Sequence, residues 1–169
     1  LEEIAETHLR SLPLQAATLT VFGFLLWWVD KVAPVRQETG LPGWRTSLIM
    51  GFAQALSLVP GVSRSGITIT TGLFAGVDRA TAARFSFLLG IPITAVAGGL
   101  KLLHLLRGGL PAGDGGPLLA AILASFLSGW LAVWFLVGYL KTRSLVPFVV
   151  YRLLLALAMV PDTPAAKLF

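Results

Sequence analysis

The sequence predicts an all-α fold, a polytopic bundle of helices integral to a membrane. Of its 169 residues, 12% are charged and 56% are hydrophobic, whereas about 25% of the residues in an ordinary soluble domain are charged. Long uncharged stretches recur along the chain, and a membrane-spanning helix needs roughly 20 such residues. The basic residues are scattered singly and form no stripe, which argues against nucleic acid as a partner. We expect residues 1–169 to form a single membrane domain.

Four spans are predicted, near residues 11–30, 85–106, 116–140 and 144–161. The first ends in Trp27 and Trp28, followed by Asp30 and Lys31, and tryptophan beside a charge is typical of the membrane–water interface. All acidic residues are expected in termini or loops. Arg152, within the last span, is interpreted as a structural residue that pairs inside the bundle or reaches an interface. The mixed first ten residues are typical of the end of a loop, so we expect a fragment of a longer chain.

The block near residues 46–76 is predicted to be a re-entrant hairpin rather than a span. Pro60 and Gly61 interrupt it, because proline lacks the N–H donor and glycine frees the backbone. The helical runs on either side have about three turns each, too few to cross a ~30 Å hydrocarbon core. Broken helices of this kind place their ends at a polar site near the midplane of the membrane. We therefore expect a functional site at the tip, residues 60–66.

The charges of the connecting segments predict how the bundle is oriented. A re-entrant hairpin leaves by the face through which it enters, so segments 31–45 and 78–84 share one face, to which segment 141–143 also returns. By the positive-inside rule this more basic face is cytoplasmic. Its basic residues are Lys31, Arg36, Arg45, Arg79, Arg84, Lys141 and Arg143, against Arg10, Arg107 and Lys167 on the other face.

The residue types at the tip predict an anion-binding site. Arg64 offers a planar fork that suits two phosphate oxygens, and the second half-helix begins here with free N–H groups and the positive end of its dipole. The alternative is that the hydroxyl residues only cap this helix, with Ser65 as the main cap, and that Arg64 snorkels or pairs with an acid. Gln54 either contacts the ligand or makes an interhelical hydrogen bond.

Residues 54–68 resemble the second signature of the bacterial undecaprenyl-diphosphate phosphatases, the bacitracin-resistance family. The signature Pro-Gly-x-Ser-Arg-Ser-Gly-x-Thr is complete at positions 60–68, and the similarity continues through 82–92, 126–129, 147–148 and 151–152. The resemblance implies a multi-pass enzyme of the bacterial plasma membrane that hydrolyses undecaprenyl diphosphate to undecaprenyl phosphate and phosphate, which recycles the lipid carrier of cell-wall synthesis. It also implies an inverted-repeat architecture, of which this chain holds one half.

The resemblance assigns roles to residues of the tip. Ser63 and Thr68 match family positions tied to catalysis, and Ser63 is expected either to attack as a nucleophile or, as we favour, to bind phosphate. Arg64 is the expected catalytic clamp on the diphosphate, and the expected substrate-binding residues are Gly61, Ser65, Gly66 and Gln54. A divalent cation, magnesium or calcium, is implied as cofactor. The family's Glu-rich first signature, which ends in Gly-His, has no match here, and neither His8 nor His104 lies in a family motif. We therefore expect no metal ligand in this chain and no phosphatase activity from it alone.

Two other functions are compatible with the pattern. A transporter or flippase half that binds an anionic lipid or solute would use the same broken helix. A purely structural membrane subunit would leave Arg64 and its hydroxyl neighbours unexplained. The expected partners are a polyprenyl diphosphate lipid, membrane lipid and the N-terminal half of the same protein, and the sequence leaves a homo-oligomer open.

Overall fold

The computed structural model describes residues 11–33, 41–108 and 115–159, and all regular structure within them is helical. Three of the helices (α1, α4 and α5) are long and apolar enough to cross a membrane, and α6 is a shorter apolar helix. The predicted all-α fold is confirmed. The elements are α1 (Leu12–Val32), α2 (Trp44–Ala53), a 3-10 helix η1 (Gln54–Leu58), α3 (Arg64–Phe74), α4 (Arg79–Gly108), α5 (Gly115–Leu140) and α6 (Val146–Met159).

Buried side chains concentrate where α1, α3, α4 and α6 meet. Helix α1 packs against α6 and α3, α3 packs against α2, η1 and α4, and α4 packs against α5. By contrast, α5 and the second half of α4 expose large apolar side chains such as Leu100 and Trp134. An apolar surface of that extent is not left to water. The core residues are Leu26, Val29, Ile69, Leu73, Val77, Ala82, Ala83, Leu140, Leu145 and Val149.

Asp30 joins three helices at one end of the bundle. It lies inside α1 and is 8% exposed. Its carboxylate accepts a hydrogen bond from Arg79 Nε at 2.5 Å and another from the Leu145 N–H at 3.3 Å. The expectation that every acid lies in a loop or terminus is therefore wrong for Asp30, because these partners replace water around the buried charge. The end of α1 and the starts of α4 and α6 lie together.

Helix α4 begins earlier than its sequence predicts. The segment 78–84, expected to be a connector, is helical from Arg79 onward. Asp78 explains the difference, because its carboxylate accepts a hydrogen bond from the Thr81 N–H at 3.0 Å. That interaction satisfies one of the free donors of the first helical turn.

Helices α2, η1 and α3 form a helical hairpin with its turn at residues 59–63. Met50 of α2 lies beside Gly72 of α3, so that a Cβ atom at Gly72 would be 3.0 Å from Met50 Cε. Met50 and Gly72 are the same number of residues away from Gly61, so Gly61 lies at the turn of the hairpin. Its φ is 89°. The tip rests on α1, where the Thr18 hydroxyl donates to the Pro60 carbonyl at 2.6 Å.

The position of Thr18 fixes the depth of the tip within the bundle. Thr18 precedes Asp30 by twelve residues, or about 18 Å at 1.5 Å per residue. Helix α3 ends near Val77 and Arg79, which lie at the Asp30 end. The hairpin therefore starts and ends at the Asp30 end, and its tip lies within the length of α1.

Candidate functional site

The first turn of α3 is built on a strained serine. Ser63 is the N-cap residue, and its Oγ accepts a hydrogen bond from the Gly66 N–H at 3.2 Å. Its φ is +67°, a conformation that costs a non-glycine residue on the order of 1–3 kcal/mol. The expectation that Ser65 is the cap is wrong, because the helix already begins at Arg64 and the cap must precede it. Strain of this kind is frequent at binding sites.

Arg64 extends from the start of α3 across the face of α4. Its side chain is exposed, and its guanidinium lies over Gly90, where an added Cβ atom would be 3.2 Å from Nη2. Within residues 11–33, 41–108 and 115–159, no carboxylate pairs with Arg64; the ion pair there is between Asp30 and Arg79. The alternative in which Arg64 pairs with an acid therefore has no partner in this part of the chain.

An open groove of about 1030 Å³ runs between α4 and α5 and reaches Arg64. Polar groups of Arg64, Ser65 and Ser86 line it beside Gly90. Its walls are otherwise mainly apolar and include Phe87, Ile91, Phe126 and Trp130. The α4 lining extends from residue 84 to residue 95, about 17 Å of helix. The groove thus combines a cationic, hydroxyl-bearing region with a long apolar channel.

Thr68 lies behind this region rather than in it. Its side chain is fully buried, and its hydroxyl is 2.9 Å from the Arg64 carbonyl and 2.6 Å from the Ser86 hydroxyl. Since a threonine hydroxyl has a single proton, donation to the carbonyl leaves Ser86 as the donor to Thr68. Thr68 therefore joins α3 to α4, and Ser86 is the hydroxyl of the pair that lines the groove.

Arg152 supports the other side of the tip. It is only 7% exposed, and its Nη2 donates to the carbonyls of Gly61 and Val62 at 2.9 and 3.0 Å. In the described part of the chain, its Nε and Nη1 have no hydrogen-bond partner. Sequence reasoning treated Arg152 as structural and did not place it at the tip. The available signal was that it is the one charge between residues 144 and 161.

Both glycines of the signature are required by close contacts. A Cβ atom at Gly61 would lie 2.0 Å from Thr18 Oγ1, and one at Gly66 would lie 2.5 Å from Arg152 Nη1. The remaining predicted residue, Gln54, lies in η1 and is not among the residues that line the groove. Its Oε1 is buried without a partner among the described residues. The structure thus brings Ser63, Arg64, Ser65 and Gly66 together at the tip, with Thr68 behind them.

The side chains at the tip are poor ligands for a divalent cation. Mg²⁺ and Ca²⁺ prefer carboxylate and carbonyl oxygens, whereas the tip offers a guanidinium and hydroxyls. Among the described residues, no group of three or more acids and histidines could hold a metal ion. His104 is exposed, and its Nδ1 lies 3.1 Å from the Leu100 carbonyl oxygen of its own helix. His8 and the acidic residues other than Asp30 and Asp78 lie outside the described residues. These acidic residues are Glu2, Glu3, Glu6, Glu38, Asp114 and Asp162.

Comparison with known proteins decides the family. The family model described as bacitracin resistance protein BacA matches residues 1–158. The chain belongs to this family. A curated relative, the undecaprenyl-diphosphatase of Chromohalobacter salexigens, is 44% identical over 162 residues, which cover 94% of this chain and 60% of the relative. The chain thus spans about 60% of the length of that relative. The resemblance found at residues 54–68 is confirmed, and the apolar helices make this BacA family member a membrane protein.

Proposed function

We propose that this chain provides the phosphate-binding part of an undecaprenyl-diphosphatase. The reaction is hydrolysis of undecaprenyl diphosphate to undecaprenyl phosphate and phosphate at a bacterial plasma membrane, for reuse of the carrier in cell-wall synthesis. The Chromohalobacter relative is named an undecaprenyl-diphosphatase, which supports the proposed hydrolysis. The observation that carries the proposal is the position of Arg64, which reaches a long apolar groove from the start of a helix.

The groove matches the two parts of such a substrate. A polyprenyl diphosphate has a compact anionic head and a long hydrocarbon tail. Arg64 and the first N–H groups of α3 would bind the head, since both favour phosphate oxygens. The apolar walls of α4 and α5 would take the first isoprene units of the tail. Arg64 would also stabilise the charge that develops on the transferred phosphoryl group, the main task in phosphoryl transfer.

Arg152 adds a second positive charge beneath the same turn. It binds the carbonyls of Gly61 and Val62, which orients the tip, and its charge lies in a buried environment. A charge in such surroundings acts more strongly on a nearby anion than one in water. We therefore assign Arg152 to the site, as a residue that shapes the tip and raises its positive potential.

We assign Ser63 and Thr68, two of the three hydroxyl residues of the signature, mainly to the architecture of the site. Ser63 Oγ already accepts the Gly66 N–H, and a nucleophilic serine needs an adjacent base, which is not found beside it among the described residues. Thr68 is buried behind Ser86. Any divalent cation would need carboxylate ligands from beyond the described part of this chain, and we assign no residue here to it.

We further propose that the hairpin is re-entrant. Helix α1 has 21 residues, or about 31 Å, which is close to the thickness of a bilayer core. The contact of the tip with Thr18 therefore supports a site inside the membrane. The basic residues near the Asp30 end favour a cytoplasmic location for that end, with the tip directed toward the outside.

The test is phosphate release from a C55 polyprenyl diphosphate by the natural full-length protein in detergent. We expect turnover, its loss in Arg64→Ala, and its retention in Arg107→Ala. Arg107 is a matched control because it lies on α4 at the end remote from Gly90. Substrate binding without phosphate release, combined with lipid movement across vesicles, would instead establish the transporter function. Equal activity of the two variants would refute the assignment of Arg64.

A further inference from the structure

Arg64 needs a support that holds its guanidinium toward the groove, since its side chain is exposed and long. Arginine carries considerable rotamer entropy. In the described residues it has no ion-pair partner that would fix it. Its guanidinium nevertheless lies close to a single position of α4, with Nη2, Cζ and Nε at 3.2, 3.5 and 3.9 Å from a Cβ atom placed on Gly90. Three atoms of the group are therefore close to that one position.

The second contact between the two helices lies one turn earlier on α4. Ser86 and Gly90 are four residues apart, so they share a face of the helix. Ser86 bonds the buried Thr68 hydroxyl at 2.6 Å, and Thr68 in turn contacts the Arg64 carbonyl at 2.9 Å. Ser86 thus holds, through Thr68, the backbone of the turn that bears Arg64, and Gly90 lies beneath the Arg64 side chain.

We propose that Ser86 and Gly90 form a seat on α4 that positions the Arg64 guanidinium for the anion. Both are positioning residues, because they act through Arg64. The proposal rests on the proposed function for its reaction, but the seat itself concerns anion binding and can be tested apart from catalysis. A Cβ atom at position 90 would press on the guanidinium at 3.2 Å, and a larger side chain there would have to displace it. A misplacement of about 1 Å can reduce an enzymatic rate by ~10²-fold.

The decisive variant is Gly90→Val, with Gly98→Val as its matched control. Gly98 lies on the same helix, and a Cβ atom there would meet nothing within 4 Å. In the full-length protein we expect Gly90→Val to lower kcat/KM by about 10- to 100-fold and Gly98→Val to stay within about twofold of wild type. Gly90→Ala is the milder variant, because a Cβ atom at 3.2 Å displaces the guanidinium by only a few tenths of an ångström. It should give a smaller loss in the same direction, and it keeps the test valid if valine prevents folding.

A binding measurement separates the seat from the reaction. The probe is inorganic pyrophosphate, and its affinity is measured by calorimetry for the wild type, Gly90→Val, Gly98→Val, Arg64→Ala and the double variant Arg64→Ala with Gly90→Val. We expect Gly90→Val to weaken binding at least about fivefold when Arg64 is present and to change nothing further when it is absent. Non-additivity of this kind is the signature of coupling between two residues.

The outcomes are distinct for the two proposals. One outcome is that Gly90→Val weakens pyrophosphate binding only when Arg64 is present, while the wild type releases no phosphate. That outcome would support the seat and refute the phosphatase. Phosphate release with equal losses in Gly90→Val and Gly98→Val would retain the phosphatase and refute the seat. An effect of Gly90→Val that persists in the Arg64→Ala background would also refute it, because it would be a packing effect. Ser86→Ala should reproduce part of the loss, and Ser128→Ala, at an exposed position of α5 that does not line the groove, should not.

Discussion

The tip of the hairpin should be intolerant of a single added methyl group at Gly61. In Gly61→Ala the new Cβ atom would lie 2.0 Å from Thr18 Oγ1 and 2.7 Å from the Gln15 carbonyl oxygen, where ordinary contacts are 3.4–4 Å. The φ of +89° adds a second penalty, about 1–2 kcal/mol for a residue with a Cβ atom. Overpacking of this kind typically costs about 1–3 kcal/mol. We expect a total loss of about 2–5 kcal/mol in the free energy of unfolding.

The assay is reversible unfolding of the purified protein in detergent, with Gly51→Ala as the matched control. Gly51 lies in α2 of the same hairpin, and a Cβ atom there would meet nothing within 4 Å. That control should be neutral or stabilising by up to about 1 kcal/mol, because alanine is the better helix former. In a Thr18→Ala background the Gly61→Ala penalty should shrink but persist, since the Gln15 carbonyl and the backbone strain remain. Equal stability of Gly61→Ala and Gly51→Ala would refute the described contact of the tip with α1.

The other predictions concern four polar residues. Arg64→Lys should lower kcat/KM by at least roughly a hundredfold, because lysine lacks the fork that binds two oxygens; near wild-type phosphate release would leave Arg64 as a point charge. Ser63→Ala should lose about 1 kcal/mol as a cap is removed, while Ser63→Gly, which also relieves the positive φ, should be at least as stable as wild type in the same unfolding assay. Arg152→Met should cost about 1–3 kcal/mol, because the two tip carbonyls lose a buried donor, and should reduce phosphate release; full activity would remove it from the site. Asp30→Asn should lower the free energy of unfolding by about 1–3 kcal/mol, because the partly exposed Arg79 loses its ion-pair partner. The kcat/KM of the protein that remains folded should stay close to wild type.

The sequence was sufficient for the helices and for the turn of the hairpin. Low charge and long apolar runs predict the membrane bundle, and Pro60 and Gly61 interrupt helices α2 and α3 where the structure has its turn. The family follows from residues 60–68 because a nine-position signature is specific. Local patterns of this kind are visible in sequence because they depend on the backbone preferences of neighbouring residues.

Contacts between distant residues account for what the sequence did not predict. Asp30 is buried within a helix because Arg79 neutralises its charge and the Leu145 N–H donates a hydrogen bond to it, and neither residue is near it in the chain. Arg152 reaches the tip across about ninety positions, so its charge alone could not distinguish a structural role from a role in the site. The cap at Ser63 was missed for a different reason: three hydroxyl residues within positions 63–68 leave the first residue of the helix ambiguous.

The contacts around the tip bear on how a strained turn can serve a reaction. Ser63 holds a φ of +67° and Gly61 one of +89°, a region that costs serine free energy but is open to glycine. The turn is held by Thr18 of α1 at Pro60 and by Arg152 of α6 at Gly61 and Val62. Helices α1 and α6 are themselves joined through Asp30. The strain is therefore balanced by contacts remote from the groove, which would keep the N–H groups of α3 oriented for the proposed anion. Donors that are already in place need no reorganisation during the reaction, and this is the condition under which they stabilise a transition state most effectively.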